Sequence, residues 1–408
     1  MDGFRVLPNS HPQIRFLKTF KQSFFTLLFD LGGIIAGLIV ASSFSVFSSE
    51  RWIIAIYPGI LSMRGVIGGL FTGRLSTGLH LGTIKAGILG KGSETLHSLW
   101  GSIVVLAFVS SLLLGGISIL FGTLFYGLDL VNMLAIFVVI TATMGLSLLA
   151  ISPITILVAL FSFKKGLDPD IIVYPIISTV ADILSTLCYI FVLILIFFTE
   201  ITGKLIGAFI CLVFFFAVLF VLHRNGKNPR FMKTIKEALF TMIIVAFIVN
   251  ITGSVLSRIS RRISQGSAVY VAYPALINTM GDVGAIIGST ATTKLALGTM
   301  EPSLKSVKKH GNQIAGALTA SIVICFILAL FSSFIQIPGN NLTMMRFVFV
   351  ILITNLFSAI CMIFIAFSIA ILTFRRGLDP DNFVIPIESS LADVVTTICL
   401  FLALGLIN

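Results

Sequence analysis

The 408 residues are 57% apolar and 11% charged, with 27 basic against 16 acidic side chains and a net charge of +11. An ordinary soluble domain carries about 25% charged residues, so no water-facing surface can be made from this chain and lipid must serve as its solvent. Apolar runs such as Ile103 to Phe125 and Met344 to Phe374 last a full bilayer crossing, which points to helices and excludes the alternating strands of about ten residues found in a membrane barrel. The expected fold class is an all-α polytopic membrane protein with about eleven transmembrane helices.

Residues 1–22 carry Arg5, Arg15, Lys18 and Lys21 and no apolar core, so they read as a cytoplasmic tail and not as a cleavable signal peptide. Spans follow at 23–47, 52–79, 98–123, 131–162, 170–198, 205–222, 235–259, 268–297, 312–337, 344–373 and 383–407. With the N-terminus inside, eighteen basic residues fall in cytoplasmic segments and six outside, the bias expected when positive charge is retained inside. Arg258, Arg261 and Arg262 are the main dissent. The expected location is the cell membrane, multi-pass, with the N-terminus cytoplasmic and the C-terminus outside. Because the positive charge sits in short loops beside spans, it does not describe a nucleic-acid surface. Cys188, Cys211, Cys325, Cys361 and Cys399 lie in apolar segments without C-x-x-C spacing and read as small hydrophobes. The chain has neither H-E-x-x-H nor G-x-S-x-G, which argues against an intramembrane enzyme.

The spans are duplicated. KKGLDPDIIVYPIISTVAD from Lys164 to Asp182 returns as RRGLDPDNFVIPIESSLAD from Arg375 to Asp393, 211 residues later. PGILSMRGVIGGL from Pro58 returns as PALINTMGDVGAI from Pro274, 216 residues later, and the register holds to Gly82 and Gly298. The expected organisation is a first membrane half at 23–198, a linker helix and cytoplasmic loop at 199–232, and a second half at 233–408. Five spans per half would invert the second copy, yet both basic GLDPD loops belong inside. The unpaired span at 205–222 restores the direction, making the repeats parallel about an axis along the membrane normal.

In the GLDPD segments, Asp168 and Asp379 suit helix N-caps, Pro169 and Pro380 the first helical position, and Asp170 and Asp381 the positive end of the dipole. Capping is a sufficient account of these four acids. Asp182 and Asp393 lie twelve residues further on, roughly 18 Å along a helix, past the middle of the hydrocarbon, where a carboxylate is costly and marks a substrate or ion pathway. An interhelical hydrogen bond is the plainer alternative, but the same acid at the same depth in both halves favours the pathway. Pro175 and Pro386, seven residues before each aspartate, free a carbonyl that can face a cation. Gly65, Gly68, Gly281 and Gly284 sit beside Asn278 and Asp282 in the second spans, as close-packing contacts or as a broken, pore-lining helix. Asp30 and Glu388 are the remaining acids at membrane depth. Arg64 aligns with Met280, Val66 with Asp282 and Ile177 with Glu388. Arg64 is therefore expected to pair with Glu388 or Asp282, the alternative being a side chain that snorkels to the interface.

The phrases LDPDIIVYPIISTVAD and LDPDNFVIPIESSLAD resemble the membrane domain of MgtE-type magnesium transporters, whose last helix carries a D-P…N-P…(S/A)-D pattern. PALINTMGDVG resembles that family's P…L…G-G-N-x-G motif. The resemblance implies a divalent cation transporter or channel, most aptly for magnesium, with a central pore lined by pseudo-symmetric aspartates. By position the pore aspartate falls on Asp182 and Asp393, and the carbonyl four residues before it on Ser178 and Ser389. Asp282, Glu388 and Asn278 complete the candidate metal ligands. No cofactor is expected; Mg2+ would be the cargo. The alternative is a cation/proton or cation/sodium exchanger, with Asp282 or Glu388 carrying the coupling ion. The family channel is a homodimer of five-span domains, so this chain resembles the eukaryotic solute carriers with two tandem MgtE domains, an intramolecular pseudo-dimer for which a monomer suffices. The family's asparagine before the proline is Tyr174 and Ile385 here, the G-N pair is Gly65-Val66 and Gly281-Asp282, and Arg64 is a departure.

Overall fold

In lipid every backbone N–H and C=O must be satisfied inside the segment, and for an unpaired segment only a helix does so. The computed structural model describes residues 12–84, 93–165, 169–263, 268–296, 298–303, 306–307, 310–335, 343–376 and 380–407, and the regular structure among them is helical. In chain order the helices are α1 Pro12–Leu28, a single 3-10 turn Phe29–Gly32, α2 Gly33–Ser42, α3 Phe44–Phe47, α4 Arg51–His80, α5 Ser93–Tyr126, α6 Leu130–Lys164 and α7 Pro169–Phe198. They continue as α8 Glu200–Asn225, α9 Pro229–Ser260, α10 Ala268–Ala296, α11 Gly311–Phe334, α12 Met344–Arg375 and α13 Pro380–Ile407. Among the described residues, ten stretches of helix are long and apolar enough to cross a membrane, α1 and α2 together forming the first of them. The remaining expected span, α10, has 29 residues but is diluted by Asn278, Asp282, Lys294 and a run of serines and threonines.

The second spans are not broken. α4 and α10 run unbroken through Pro58 and Pro274, which corrects the expectation of an interrupted helix. A proline removes one i→i−4 bond and no more when neighbouring helices hold its surroundings. Both helices stop at the repeated glycine. Gly82 and Gly298 have φ of +68° and +65°, a left-handed conformation that only glycine adopts without strain, and the chain folds back so that Ile84 N–H reaches Gly78 O and Met300 N–H reaches Lys294 O.

The chain condenses into two compact units that do not follow the order of the repeats. One unit is residues 35–271. The other joins 12–34 to 272–335 and 343–407. In the first unit α9, the opening span of the second half, packs on α4 and α5; in the second unit α1 packs on α11. Each half lends its opening helix to the helices of the other. The exchange rests on glycine, because small residues let helix backbones touch. A Cβ on Gly253 would run into the Ala55 carbonyl oxygen, and a Cβ on Gly37 into the Val271 carbonyl oxygen. Both glycines and both carbonyls are 216 residues apart, so one contact is built twice. In the first unit Ser118 also donates to Asn250 Oδ1 at 2.8 Å, and Arg74 on α4 meets Glu237 on α9 at 3.0 Å.

The linker helix α8 has no counterpart in the repeats. It lies against α5, α6 and α7 through Gly207, Phe214, Val218 and Val221, and leaves Phe209, Phe216 and Phe220 exposed. Apolar side chains on an outer face are what a lipid solvent requires.

Candidate functional site

Each second span brings a tyrosine to the helix that carries the repeated aspartate. In the first unit the Tyr57 hydroxyl lies 3.0 Å from Thr186 Oγ1 on α7, and Thr186 donates to the backbone carbonyl of Asp182 at 2.7 Å. In the second unit Tyr273 lies 2.9 Å from Thr397 Oγ1 on α13, and Thr397 donates to the carbonyl of Asp393 at 2.6 Å. A threonine hydroxyl has a single proton. Since that proton is committed to the carbonyl, the tyrosine is the donor in both pairs. The relay ties the aspartate's turn to the neighbouring helix through fully buried groups, where a satisfied network is rigid. Asp182 and Asp393 are 4% and 6% exposed. Around Tyr57, Tyr189 and Phe47 close ring contacts, and Tyr189 donates to Ile53 O at 2.6 Å.

Arg64 stands on α4, and the carboxylate it meets in its own unit is Asp182, with Nη2 4.0 Å from Oδ1. The expected partners, Glu388 and Asp282, belong to the other unit. With 8% of its side chain exposed, Arg64 does not reach out to an interface as the snorkelled alternative required. The contact with Asp182 follows from helix packing, since α4 lies on α7 and brings their buried charges together.

In the second unit Asn278 and Asp282 are half-buried one turn apart on α10, and Ser389 is half-buried on α13; in the first unit Ser178 is half-buried on α7. α7 and α13 stay helical past Ser178 and Ser389, so each of those carbonyls has a helical hydrogen bond and only its second lone pair to offer. The glycines divide into two kinds. A Cβ on Gly284 would stand 2.9 Å from Met362 Cε, a packing contact, and one on Gly281 would just touch Ala392 and Ser389 at 4.0 Å. Gly65 has nothing within 4 Å, and Gly68 meets only the Arg64 guanidinium, so these two border open space.

Glu388 is fully buried, and neither carboxylate oxygen has a hydrogen-bond partner among the described residues. A Cβ on Gly288 would stand 2.6 Å from both oxygens. The equivalent positions of the first half are Thr72 and Ile177, so the longer acid is matched by a smaller neighbour. Asp168 and Asp379, and the side chains of Pro175, Pro386, Asp170 and Asp381, lie outside the described residues. Among the described residues no three of histidine, cysteine, aspartate and glutamate come together as a metal cluster. The tyrosines and threonines of the relay were missed in the sequence, although Tyr57 with Tyr273 and Thr186 with Thr397 keep the 216 and 211 offsets of the motifs.

The duplicated acid-bearing helices have a match among known families. The family model of MgtE, described as a divalent cation transporter, matches residues 57–192 and again 273–403. The chain belongs to the MgtE family of divalent cation transporters. Its two MgtE segments cover the second to fifth spans of each half and omit the exchanged opening spans and α8. The chain is similar over most of its length to solute carrier family 41 member 3 of Rattus norvegicus, at 24% identity over 393 residues, covering 91% of this chain and 83% of that protein. Solute carrier family 41 member 2 of Xenopus laevis is 24% identical over 399 residues, covering 91% of this chain and 68% of its own. No solved structure matches the chain. An MgtE protein is a multi-pass membrane transporter and not an enzyme.

Proposed function

We propose that this MgtE protein carries magnesium across the cell membrane along a path to which each half contributes its repeated aspartate, Asp182 and Asp393. The observation that carries the reading is the twice-built relay, Tyr57–Thr186–Asp182 and Tyr273–Thr397–Asp393. A chain that holds a costly acid at the same place in both halves with the same three residues treats that acid as part of its function. Asp282, Asn278 and the carbonyls of Ser178 and Ser389 are further oxygen donors, and Gly65 and Gly68 leave room beside the path. Magnesium dehydrates reluctantly and is usually held by one or two carboxylates through retained waters, which fits few acids set among half-buried amides and hydroxyls. Because both halves are in one chain, a monomer suffices. The N-terminus is cytoplasmic and the C-terminus outside.

Uptake of Mg2+ and Mn2+ into proteoliposomes tests this. Asp182→Asn and Asp393→Asn should each lower divalent flux by about tenfold or more, and the double variant should add little, as residues that share one task are non-additive. Wild-type flux in either single variant would remove that aspartate from the path.

A second reading is favoured by Glu388. A fully buried carboxylate without a hydrogen-bond partner among the described residues needs a proton or a cation beside it, as the coupling site of an exchanger would. Proton or sodium movement in step with divalent uptake, lost in Glu388→Gln, would select the exchanger; uptake indifferent to both gradients selects the uncoupled path.

A further inference from the structure

Among the charged positions at which the two halves differ, one carries a cation next to the repeated aspartate. Where the second half has Met280, fully buried and accepting from Asn355 Nδ2 at 3.7 Å, the first half has Arg64. A buried guanidinium is expensive unless a charge compensates it, and its compensation is Asp182 at 4.0 Å. That separation is at the edge of direct contact and is not the bidentate fork in which arginine locks a carboxylate. The other side of Arg64 offers a second seat. The guanidinium lies over Gly68, next to the open space at Gly65, and borders a mostly apolar cavity of about 30 Å³ whose lining includes the hydroxyl residues Ser147, Ser152 and Thr155. Ser147 and Thr155 have given their protons to the carbonyls of Met144 and Ile151, and Ser152 accepts from Trp100 Nε1. The hydroxyl oxygens keep unused lone pairs, and the space is large enough for a water.

We propose that Arg64 is a tethered competitor for the cargo: its guanidinium neutralises Asp182 in the cation-free protein and gives up that carboxylate, turning toward the cavity beside Gly68, when a divalent cation binds there. The inference rests on the reading that Asp182 lies on the cation path. Displacing a fixed unit charge favours an incoming ion with more than unit charge, because attraction scales with charge at equal distance. Sodium and potassium gain too little to evict the guanidinium. Arg64 is thereby a specificity-determining residue, discriminating by a built-in rival rather than by pore size, and the two aspartates differ in affinity although the sequence repeats them.

The test measures, in proteoliposomes, the Mn2+ concentration for half-maximal uptake and the ratio of Mn2+ to Na+ flux, for wild type, Arg64→Met, Arg64→Gln, Asp182→Asn and Arg64→Met/Asp182→Asn. Methionine is the residue the other half uses at this place, and glutamine keeps length and hydrogen bonding without the charge, so the pair guards against one variant failing to fold. Removing the rival should lower the half-saturating concentration by about tenfold, the size of coupling expected for residues in contact, and should lower the Mn2+/Na+ ratio. In the Asp182→Asn background Arg64→Met should change neither. An unchanged half-saturating concentration and selectivity in both Arg64 variants, with Asp182→Asn still impaired, overturns the competitor and leaves the path intact. Wild-type uptake in Asp182→Asn overturns the path itself.

Discussion

At the scale of single residues, the chain shows how a costly group is kept. Asp182 and Asp393 are held by their own backbone carbonyls, which Thr186 and Thr397 bind and Tyr57 and Tyr273 secure, so the helix turn is fixed through its backbone and not through the carboxylate. Tyr57→Phe and Tyr273→Phe remove one buried hydrogen bond each and leave the threonine bond in place. Each should cost about 1 kcal/mol, by similar amounts because the geometry is the same, as thermal unfolding in detergent would report. Thr186→Val and Thr397→Val break two bonds and should cost more. If the valine variants are as stable as wild type, the relay is incidental. The acids were legible in the sequence because an aspartate amid apolar residues contrasts with its neighbours and recurs. The tyrosines and threonines were not, since amphipathic residues are unremarkable in a span until their hydroxyls are seen to meet. The partner of Arg64 was likewise beyond the sequence, which shows charges but not which helices touch.

At the scale of elements, glycine has two opposite uses that one-letter code does not separate. Gly37 and Gly253 are where a helix backbone touches a carbonyl of the next helix; Gly65 faces open space. Gly253→Ala should therefore destabilise the protein by about 1–3 kcal/mol through overpacking, with Gly37→Ala close to it. Gly65→Ala should be neutral or stabilising by up to about 1 kcal/mol, since alanine is the better helix former. Unfolding midpoints of the three variants check this, and equal losses at all three positions would contradict the division. Proline misled for a related reason. Pro58 and Pro274 with nearby glycines suggest a break, but a helix held on its sides by other helices tolerates one missing bond.

At the scale of the whole molecule, the exchange of opening spans makes each compact unit depend on both halves of the sequence. Residues 12–34 belong with 272–407, and α9 belongs with α4 and α5. A truncation after the first half therefore lacks α9 and exposes the faces of α4 and α5 that it covers. The parallel arrangement of the repeats is tested by labelling. On a background without the five native cysteines, Ser49→Cys, after the opening span, should react with an impermeant maleimide added from outside, and Ser303→Cys, after α10, only once the membrane is permeabilised. Labelling of both from the same side would sink the parallel topology.

What the sequence determined by itself was whatever depends on local composition and on repetition: the lipid solvent, the helices, the two MgtE segments, the linker span and the paired aspartates. These survive without coordinates because hydrophobic length and a fixed offset are properties of the chain. The tertiary structure decided which helices of the two halves pack together, which carboxylate Arg64 meets, which hydroxyls hold the aspartates and which glycines are contacts. Lipid tails are as apolar as the spans they surround, so hydrophobicity sets no order among the spans. The choice falls to close steric fit and buried polar pairs, and those exist only once side chains from distant parts of the chain are brought together.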